Sequence, residues 1–211
     1  MSKAMMLING APPRIFPDTE LYDYIYCTDG AYPTLLAKKI RPDYVVGDFD
    51  SISMEDLSPQ VQAVFKPDQD YTDFYKCLEL LVEHGVESVD VFGSTGMEHD
   101  HYLGNLSTAL RFKEELDIVF YDDYATFFFA DNYLELEGVN ERIISLYPFP
   151  TATNVQSQGL FYPLNGIDLD ITQQIGTRNH ATNDLVNLSY DSGNLLVFIS
   201  NYTLAEKDGV L

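Results

Sequence analysis

The segment Asp43-Tyr44-Val45-Val46-Gly47-Asp48-Phe49-Asp50 places a short apolar strand directly before two carboxylates. The same kind of arrangement recurs along the first 123 residues, where short apolar runs alternate with stretches of helical spacing. We predict strands at Ala4–Ile8, Tyr24–Thr28, Asp43–Val46, Gln62–Phe65, Ser88–Phe92 and Asp117–Tyr121. Strands that alternate with helices are typical of a mainly parallel sheet covered on both faces.

Two helices are predicted most clearly within this region. Thr72–His84 carries one apolar stripe that includes Phe74, Cys77 and Leu81, and Gly85 follows as a C-terminal stop. The second helix is predicted from about Asp100 to Lys113, again with leucines on one side.

The pattern changes from about Tyr124 onward. Hydrophobic and polar residues alternate with a period of two, Asn, Thr and aromatic residues are frequent, and no convincing amphipathic helix is present. The segment YDSGN at 190–194 lies between two strand patterns and predicts a hairpin. We therefore expect an α/β parallel-sheet nucleotide-binding domain over residues 1–123, followed by a small all-β sandwich domain over residues 124–211.

Composition excludes several functional classes. The 211 residues include 12 Lys and Arg against 33 Asp and Glu, a formal net charge of -21, which repels nucleic acids and anionic membranes. No apolar run approaches the roughly 18 residues needed to cross a bilayer, and the opening apolar stretch is too short for a signal peptide, so we expect a cytoplasmic protein. The two cysteines, Cys27 and Cys77, lack CxxC spacing and exclude a disulfide scaffold.

Aspartates follow four successive predicted strands. The carboxyl ends of parallel strands meet at one edge of a sheet, where ligands bind. Any one of these residues could be a turn or cap residue, but a set gathered at one edge predicts one or two divalent cations, and hard cations such as Mg2+ prefer such oxygen ligands. The aspartates are Asp29, Asp48, Asp50, Asp68, Asp70, Asp73 and Asp100.

Other motifs near these aspartates are individually weaker. Lys76 lies three residues after Asp73 on the predicted helix, where it forms either a surface ion pair or a neutralising contact with a phosphoryl group. The segment Gly93-Ser94-Thr95-Gly96 is either an ordinary strand-to-helix turn or an anion-binding turn. His99 and His101 lack a third ligand at the spacing of a zinc site, so we do not expect zinc there.

Together, these motifs resemble the thiamin pyrophosphokinase family in order and spacing. The specific part is the combination of GDFDSI at 47–52 with DQDYTD at 68–73. Weaker matches are Thr28-Asp29-Gly30, the segment Gly93–Gly96 with Asp100, His101 and Asn105, and the fragments GLFYPL at 159–164 and GTRN at 176–179. The resemblance therefore covers nearly the whole chain. One departure is Met97-Glu98, where the family often has Gly-Arg.

The resemblance implies an enzyme that uses Mg2+ to transfer the terminal pyrophosphoryl group of ATP to the hydroxyl of thiamine. It also implies a homodimer whose thiamine site lies between the α/β half of one subunit and the β half of the other. The implied metal ligands are Asp48, Asp50 and Asp73, with Asp29 and Asp70 close by. The other matched positions are assigned to the substrates: Gln69 and Thr72 border thiamine and phosphate, Lys76 faces the phosphates, Asp100 and Asn105 line the nucleotide, and Tyr162 and Asn179 lie near thiamine.

Chemistry of this kind consists mostly of positioning and charge neutralisation, and either Asp48 or Asp70 could accept the hydroxyl proton. Two alternatives stay open from the sequence. One is a phosphatase that uses Asp48 as nucleophile and Asp50 as acid, although it gives no role to DQDYTD. The other is a non-catalytic module that binds thiamine or a nucleotide. It is motivated by Glu98 and by Arg178-Asn179, which stands where the family has Ser-Asn.

Overall fold

The computed structural model describes residues 2–206 and divides into two compact units. Unit 1 runs up to Asp122, and unit 2 begins at Asp123. Unit 1 is a parallel α/β fold and unit 2 is built from antiparallel strands, which confirms the predicted fold class. None of the helices in the described residues is long and apolar enough to span a membrane.

The sheet of unit 1 is parallel throughout, and all the strands predicted there are confirmed. They are β1 (Lys3–Leu7), β2 (Tyr24–Thr28), β3 (Tyr44–Gly47), β4 (Gln62–Phe65), β5 (Ser88–Phe92) and β6 (Asp117–Tyr121). Their order in the sheet is β4-β3-β2-β1-β5-β6. The chain therefore extends the sheet first on one side of β1 and then on the other. A sheet with such a switch point has a crevice at the carboxyl ends of its central strands.

Both faces of this sheet are covered. Met5 and Met6 are adjacent on β1 and are both fully buried, as are Val45 and Val46 on β3. Successive residues of a strand point to opposite faces, so burial of both members of each pair requires packing on both sides.

The α-helices in the described part of unit 1 are α1 (Tyr32–Ala37), α2 (Asp73–Glu83) and α3 (His99–Phe112). The Thr72 side chain caps α2 by accepting a hydrogen bond from the backbone N–H of Tyr75 at 3.3 Å. Gly85 follows the helix with a φ of +70°, which agrees with the predicted stop. The sequence did not single out α1, because six residues are too few to show a helical stripe.

Unit 2 is organised around one long strand. Its strands are β7 (Ala125–Ala130), β8 (Tyr133–Leu136), β9 (Arg142–Gln158), β10 (Asn165–Asp170), β11 (Gly176–His180), β12 (Val186–Ser189) and β13 (Ser192–Thr203). The 17-residue strand β9 pairs in antiparallel fashion with β10, β11, β12 and β13. Ile144, Leu146 and Val155 on β9 are fully buried in the core of this unit.

The predicted hairpin at YDSGN is wrong. β12 and β13 flank this turn, but β12 pairs with β8 and β9, whereas β13 pairs with β7 and β9. The length of β9 explains the difference, because its C-terminal end pairs with β12 while its preceding part pairs with β13. The turn therefore connects two strands, β12 and β13, that pair with different parts of β9.

We expect Leu146→Ala to lower the free energy of unfolding by about 2–5 kcal/mol, because it removes a fully buried side chain from the central strand of unit 2 and leaves a cavity. Urea unfolding followed by circular dichroism measures this change. Gln156→Ala, at an exposed position of the same strand, is the matched control and should change stability little. Equal effects of the two substitutions would contradict the central role of β9.

Candidate functional site

A cavity of about 680 Å3 lies in unit 1 at the carboxyl ends of the central strands. The segments that follow β1, β2, β3 and β5 all contribute to its lining, as the sheet order requires. The predicted site residues that line it are Asp29, Asp48, Asp50, Gln69, Asp70, Thr72, Asp73, Lys76 and Asn105.

Three carboxylates in this cavity lie close enough to share one cation. One oxygen from each of Asp29, Asp48 and Asp50 lies within 4.8 Å of the others. This group includes Asp29, which follows β2, and does not include Asp73. The carboxylate of Asp73 instead forms an ion pair with Lys76, with 3.0 Å between Oδ1 and Nζ.

Asp29 is the buried member of the trio, with 3% of its surface exposed. Its Oδ1 accepts a hydrogen bond from the backbone N–H of Gly30 at 2.6 Å, and its Oδ2 accepts one from Phe49 at 2.8 Å. Burial raises the pKa of Asp29, and the two backbone donors oppose that rise. Asp29 therefore ties the end of β2 to the loop after β3, in which Phe49 has a left-handed φ of 59°.

Gly47 makes this close approach possible. A Cβ at position 47 would lie 2.6 Å from Cγ of Asp29, closer than two such atoms can pack. Any larger residue would push the carboxylate of Asp29 away from the loop that contains Asp48 and Asp50.

Asp48 is held by hydrogen bonds from two directions. Gln69 Nε2 donates to its Oδ2 at 2.7 Å, and the backbone N–H of Asp50 donates to its Oδ1 at 3.1 Å. Both hydrogen bonds lower the pKa of Asp48 because they stabilise its charged form, and the bond from Gln69 has the larger effect. The loop between β4 and α2 thus positions a carboxylate that follows β3.

Among the described residues that line the cavity, Lys76 is the one Lys or Arg. Only 4% of its surface is exposed, although it carries a positive charge. Its pairing with Asp73 offsets part of the cost of burying that charge. Such a cation beside an acidic group is suited to contact an anionic ligand.

Two other predicted residues, Asn105 and Asp100, lie on α3 after β5, and only Asn105 lines the cavity. Asn105 donates a hydrogen bond from Nδ2 to the carbonyl oxygen of Ser94 at 3.1 Å, and so holds the turn after β5 against α3. Asp100 is exposed in the first turn of α3 and does not line the cavity. Its Oδ1 accepts a hydrogen bond from the backbone N–H of His101.

Two buried hydroxyl groups at the cavity have no hydrogen-bond partner among the described residues, Thr28 Oγ1 and Ser94 Oγ. Buried polar atoms of this kind are rare in folded proteins. Together with the carboxylate trio and Lys76, they fit a site that takes a hard cation and a polyphosphate: oxygen ligands for the metal, and a positive charge and hydroxyl donors for the anion.

Sequence reasoning did not assign a site role to several lining residues. Asn9 and Gly10 lie one residue beyond the end of β1, and Thr28 is the last residue of β2. The signal that could have identified Asn9 and Gly10 is their position directly after the predicted strand Ala4–Ile8. The departure at Glu98 also lies in the cavity lining, where the side chain is largely exposed.

The two predicted residues of unit 2, Tyr162 and Asn179, contact each other beside a small group of aromatic rings. Tyr162 is 63% exposed and its ring packs edge-on against Phe161, which in turn stacks on His180 at 4.6 Å. Asn179 is buried, and its side chain forms hydrogen bonds with backbone groups. Its Oδ1 accepts from the N–H groups of Tyr162 and His180, and its Nδ2 donates to the carbonyl oxygen of Tyr162. Asn179 therefore orients Tyr162.

Comparisons with known proteins agree with this arrangement. Residues 19–120 match the family model described as the thiamin pyrophosphokinase catalytic domain. Thiamin pyrophosphokinase 1 of Caenorhabditis elegans is 30% identical over 204 residues, which span 88% of this chain and 84% of that protein. Thiamine pyrophosphokinase of Bacillus subtilis is 26% identical over 94% of this chain and 99% of that protein.

Solved structures show the same similarity. The crystal structure of the thiamine pyrophosphokinase from Bacillus subtilis superposes with a TM-score of 0.81, with 26% identity over 93% of this chain and 98% of that one. The thiamin pyrophosphokinase from Candida albicans shares the fold, with a TM-score of 0.83 at 16% identity. The chain therefore belongs to the thiamin pyrophosphokinase family, the enzymes that convert thiamine to thiamine diphosphate with ATP.

Proposed function

We propose that residues 1–123 bind ATP with Mg2+ in the cavity of unit 1 and that residues 124–211 supply contacts to thiamine. The observation that carries this proposal is the carboxylate trio beside the buried Lys76, in a cavity otherwise short of positive charge. The products are thiamine diphosphate and AMP.

The family resemblance and the spacing of the carboxylates both support a metal site in this cavity. The resemblance supports Asp48, Asp50 and Asp73 as ligands of Mg2+, and the spacing of the oxygen atoms supports Asp29 as a further ligand. When bound, Mg2+ supplies neutralisation of phosphoryl charge and orientation of the reacting groups. Asp73 also holds the ammonium group of Lys76, which would then face the phosphates.

Asp70 is the better candidate to accept the proton of the thiamine hydroxyl. The carboxylate of Asp48 already accepts two hydrogen bonds, and its lowered pKa makes it a weaker base. The carboxylate of Asp70 is exposed at the cavity and accepts no hydrogen bond from the described residues.

The resemblance supports Gln69 and Thr72 beside thiamine and phosphate, and Asn105 and Asp100 on the nucleotide side. Of these, Asp100 lies in the first turn of α3, outside the cavity lining. Tyr162 offers an exposed ring that can stack on the cationic thiazolium, an interaction that the net charge of -21 also favours.

One coupled assay tests the overall activity. AMP should appear from ATP only when thiamine is present. Phosphate release from an ester with an aspartyl-phosphate trapped on Asp48 would indicate the phosphatase alternative, and thiamine binding without AMP at any Mg2+ concentration would indicate the non-catalytic module.

Asp50→Asn should nearly abolish AMP formation and weaken Mn2+ binding to the nucleotide-free protein, because it removes a charged ligand from the trio. The fold should persist, since the substitution relieves repulsion between carboxylates at an exposed position. Turnover, Mn2+ binding by electron paramagnetic resonance and thermal unfolding measure the three effects. Glu55→Gln, an exposed carboxylate outside the cavity lining, is the control. Near wild-type turnover would rule out the metal assignment.

Asp70→Asn should lower kcat by about a hundredfold or more while the affinity for Mn2+ stays close to that of the wild type, because a lost proton acceptor affects the chemical step. Steady-state kinetics at saturating Mg2+, with Mn2+ binding in parallel, separates the two effects. Asp56→Asn is the matched control, at an exposed carboxylate that does not line the cavity. An unchanged kcat would show that another group accepts the proton.

We also propose that the chain works as a homodimer, an assignment supported by the family resemblance and by the exposed aromatic side chains of unit 2. Phe161 and Tyr162 are 53% and 63% exposed. Sedimentation velocity at assay concentrations should show a dimer, since apolar surface of this kind is typical of interaction sites. A monomer that retains full activity would refute the proposal.

A further inference from the structure

The residue between Asp70 and Thr72 in the DQDYTD segment takes part in an aromatic stack. The ring of Tyr71 lies parallel to that of Tyr75 in the first turn of α2, with 4.2 Å between centroids and 17° between planes. The guanidinium of Arg111, near the end of α3, lies 4.9 Å from the centroid of Tyr75 and 5.5 Å from that of Tyr71. Tyr75 also contacts the buried Phe112 edge-on at 5.0 Å. The stack therefore joins three segments of unit 1.

Arg111 is committed to this stack. It forms no ion pair within the described residues, although Asp and Glu outnumber Lys and Arg by 33 to 12 in the chain. A planar guanidinium stacks on aromatic faces in a way that an ammonium group does not reproduce. Its contacts with the rings of Tyr71 and Tyr75 therefore hold the Arg111 guanidinium in position.

The loop between β4 and α2, residues 66–72, depends on few contacts. At its start, Lys66 donates from its backbone N–H to the carbonyl oxygen of Gly47 and forms an ion pair with Glu79. At its end, Thr72 caps α2. Residues 68–71 between them are all exposed, and this part contains Gln69, which donates to Asp48. Tyr71 is the member of this exposed part whose side chain packs on α2 and α3.

We propose that the stack of Tyr71, Tyr75 and Arg111 positions the 66–72 loop so that Gln69 holds Asp48 in the geometry that binds the metal. Tyr71 and Arg111 are positioning residues, because they act through Gln69 and Asp48. Loss of the stack frees the exposed part of the loop, and the Gln69–Asp48 hydrogen bond then forms only at an entropic cost. This inference rests on the proposed function, in which the carboxylate trio binds Mg2+.

The sign of one measurement separates positioning from simple electrostatics. Arg111 is a positive charge in the same unit as the acidic cavity. If it acted only through that charge, its removal would strengthen the binding of a divalent cation. If it acts through the stack, its removal weakens that binding.

The test measures Mn2+ affinity of the nucleotide-free, full-length chain by electron paramagnetic resonance, well below the unfolding temperature of every variant. The variants are Tyr71→Ala, Arg111→Ala and the double variant, with Tyr71→Phe as the conservative replacement that keeps the ring. Lys38→Ala is the matched control, because it removes another cation above an aromatic ring, that of Phe16, without touching the cavity lining. Asp50→Asn reports on the metal site itself.

We expect Tyr71→Ala and Arg111→Ala each to raise the Kd for Mn2+ by about two- to fivefold, the size of a partly exposed cation–π contact. The double variant should show no more than the larger single effect, because both residues belong to one stack. Tyr71→Phe should restore the wild-type Kd, and Lys38→Ala should leave it unchanged.

Three results would overturn the inference: tighter Mn2+ binding in Arg111→Ala, additive effects in the double variant, or wild-type affinity in Tyr71→Ala. Failure of the proposed function looks different, since Asp50→Asn would then bind Mn2+ as well as the wild type does. In that case the metal assignment falls, whatever the stack variants show.

Discussion

The paired hydrogen bonds to the carboxylate of Asp29 are the interaction on which the site depends. This buried group accepts from the backbone of Gly30 on its own strand end and from Phe49 in the loop after β3. One side chain thereby fixes the spacing between two neighbouring strand ends. Because Asp48 and Asp50 flank Phe49, the same contact brings their carboxylates into the trio.

This arrangement concentrates negative charge that the unliganded protein must tolerate. The neighbouring carboxylates of Asp73 and Asp48 add to burial in raising the pKa of Asp29. Backbone N–H groups, the amide of Gln69 and the ammonium of Lys76 each offset part of that repulsion. They do so from four separate segments, so the site exists only when β2, β3, the 66–72 loop and α2 are all in place. A divalent cation would complete the compensation, which is the physical reason that a site of this kind is suited to binding a metal.

Unit 2 is organised by strand pairing along one long strand. The long strand β9 serves as the pairing partner for four other strands, so one continuous segment organises the antiparallel part. The buried Asn179 belongs to β11, and its side-chain amide forms hydrogen bonds with the backbone of Tyr162 and His180. Asn179, which the family resemblance places near thiamine, thus orients the exposed ring of Tyr162.

The sequence by itself determined the fold class, the six parallel strands and the main helices, because hydrophobic periodicity is a local property that needs no knowledge of the partner segments. It also determined the family, through the linear motifs GDFDSI and DQDYTD. Only the tertiary structure decided that β12 and β13 do not form a hairpin and that Arg111 packs on Tyr71. It also decided that the carboxylates of Asp29, Asp48 and Asp50 form one group, while that of Asp73 pairs with Lys76. Each of these outcomes joins residues far apart in the chain through the packing of strand ends and helices, and the spacing of residues along a sequence carries no measure of that distance.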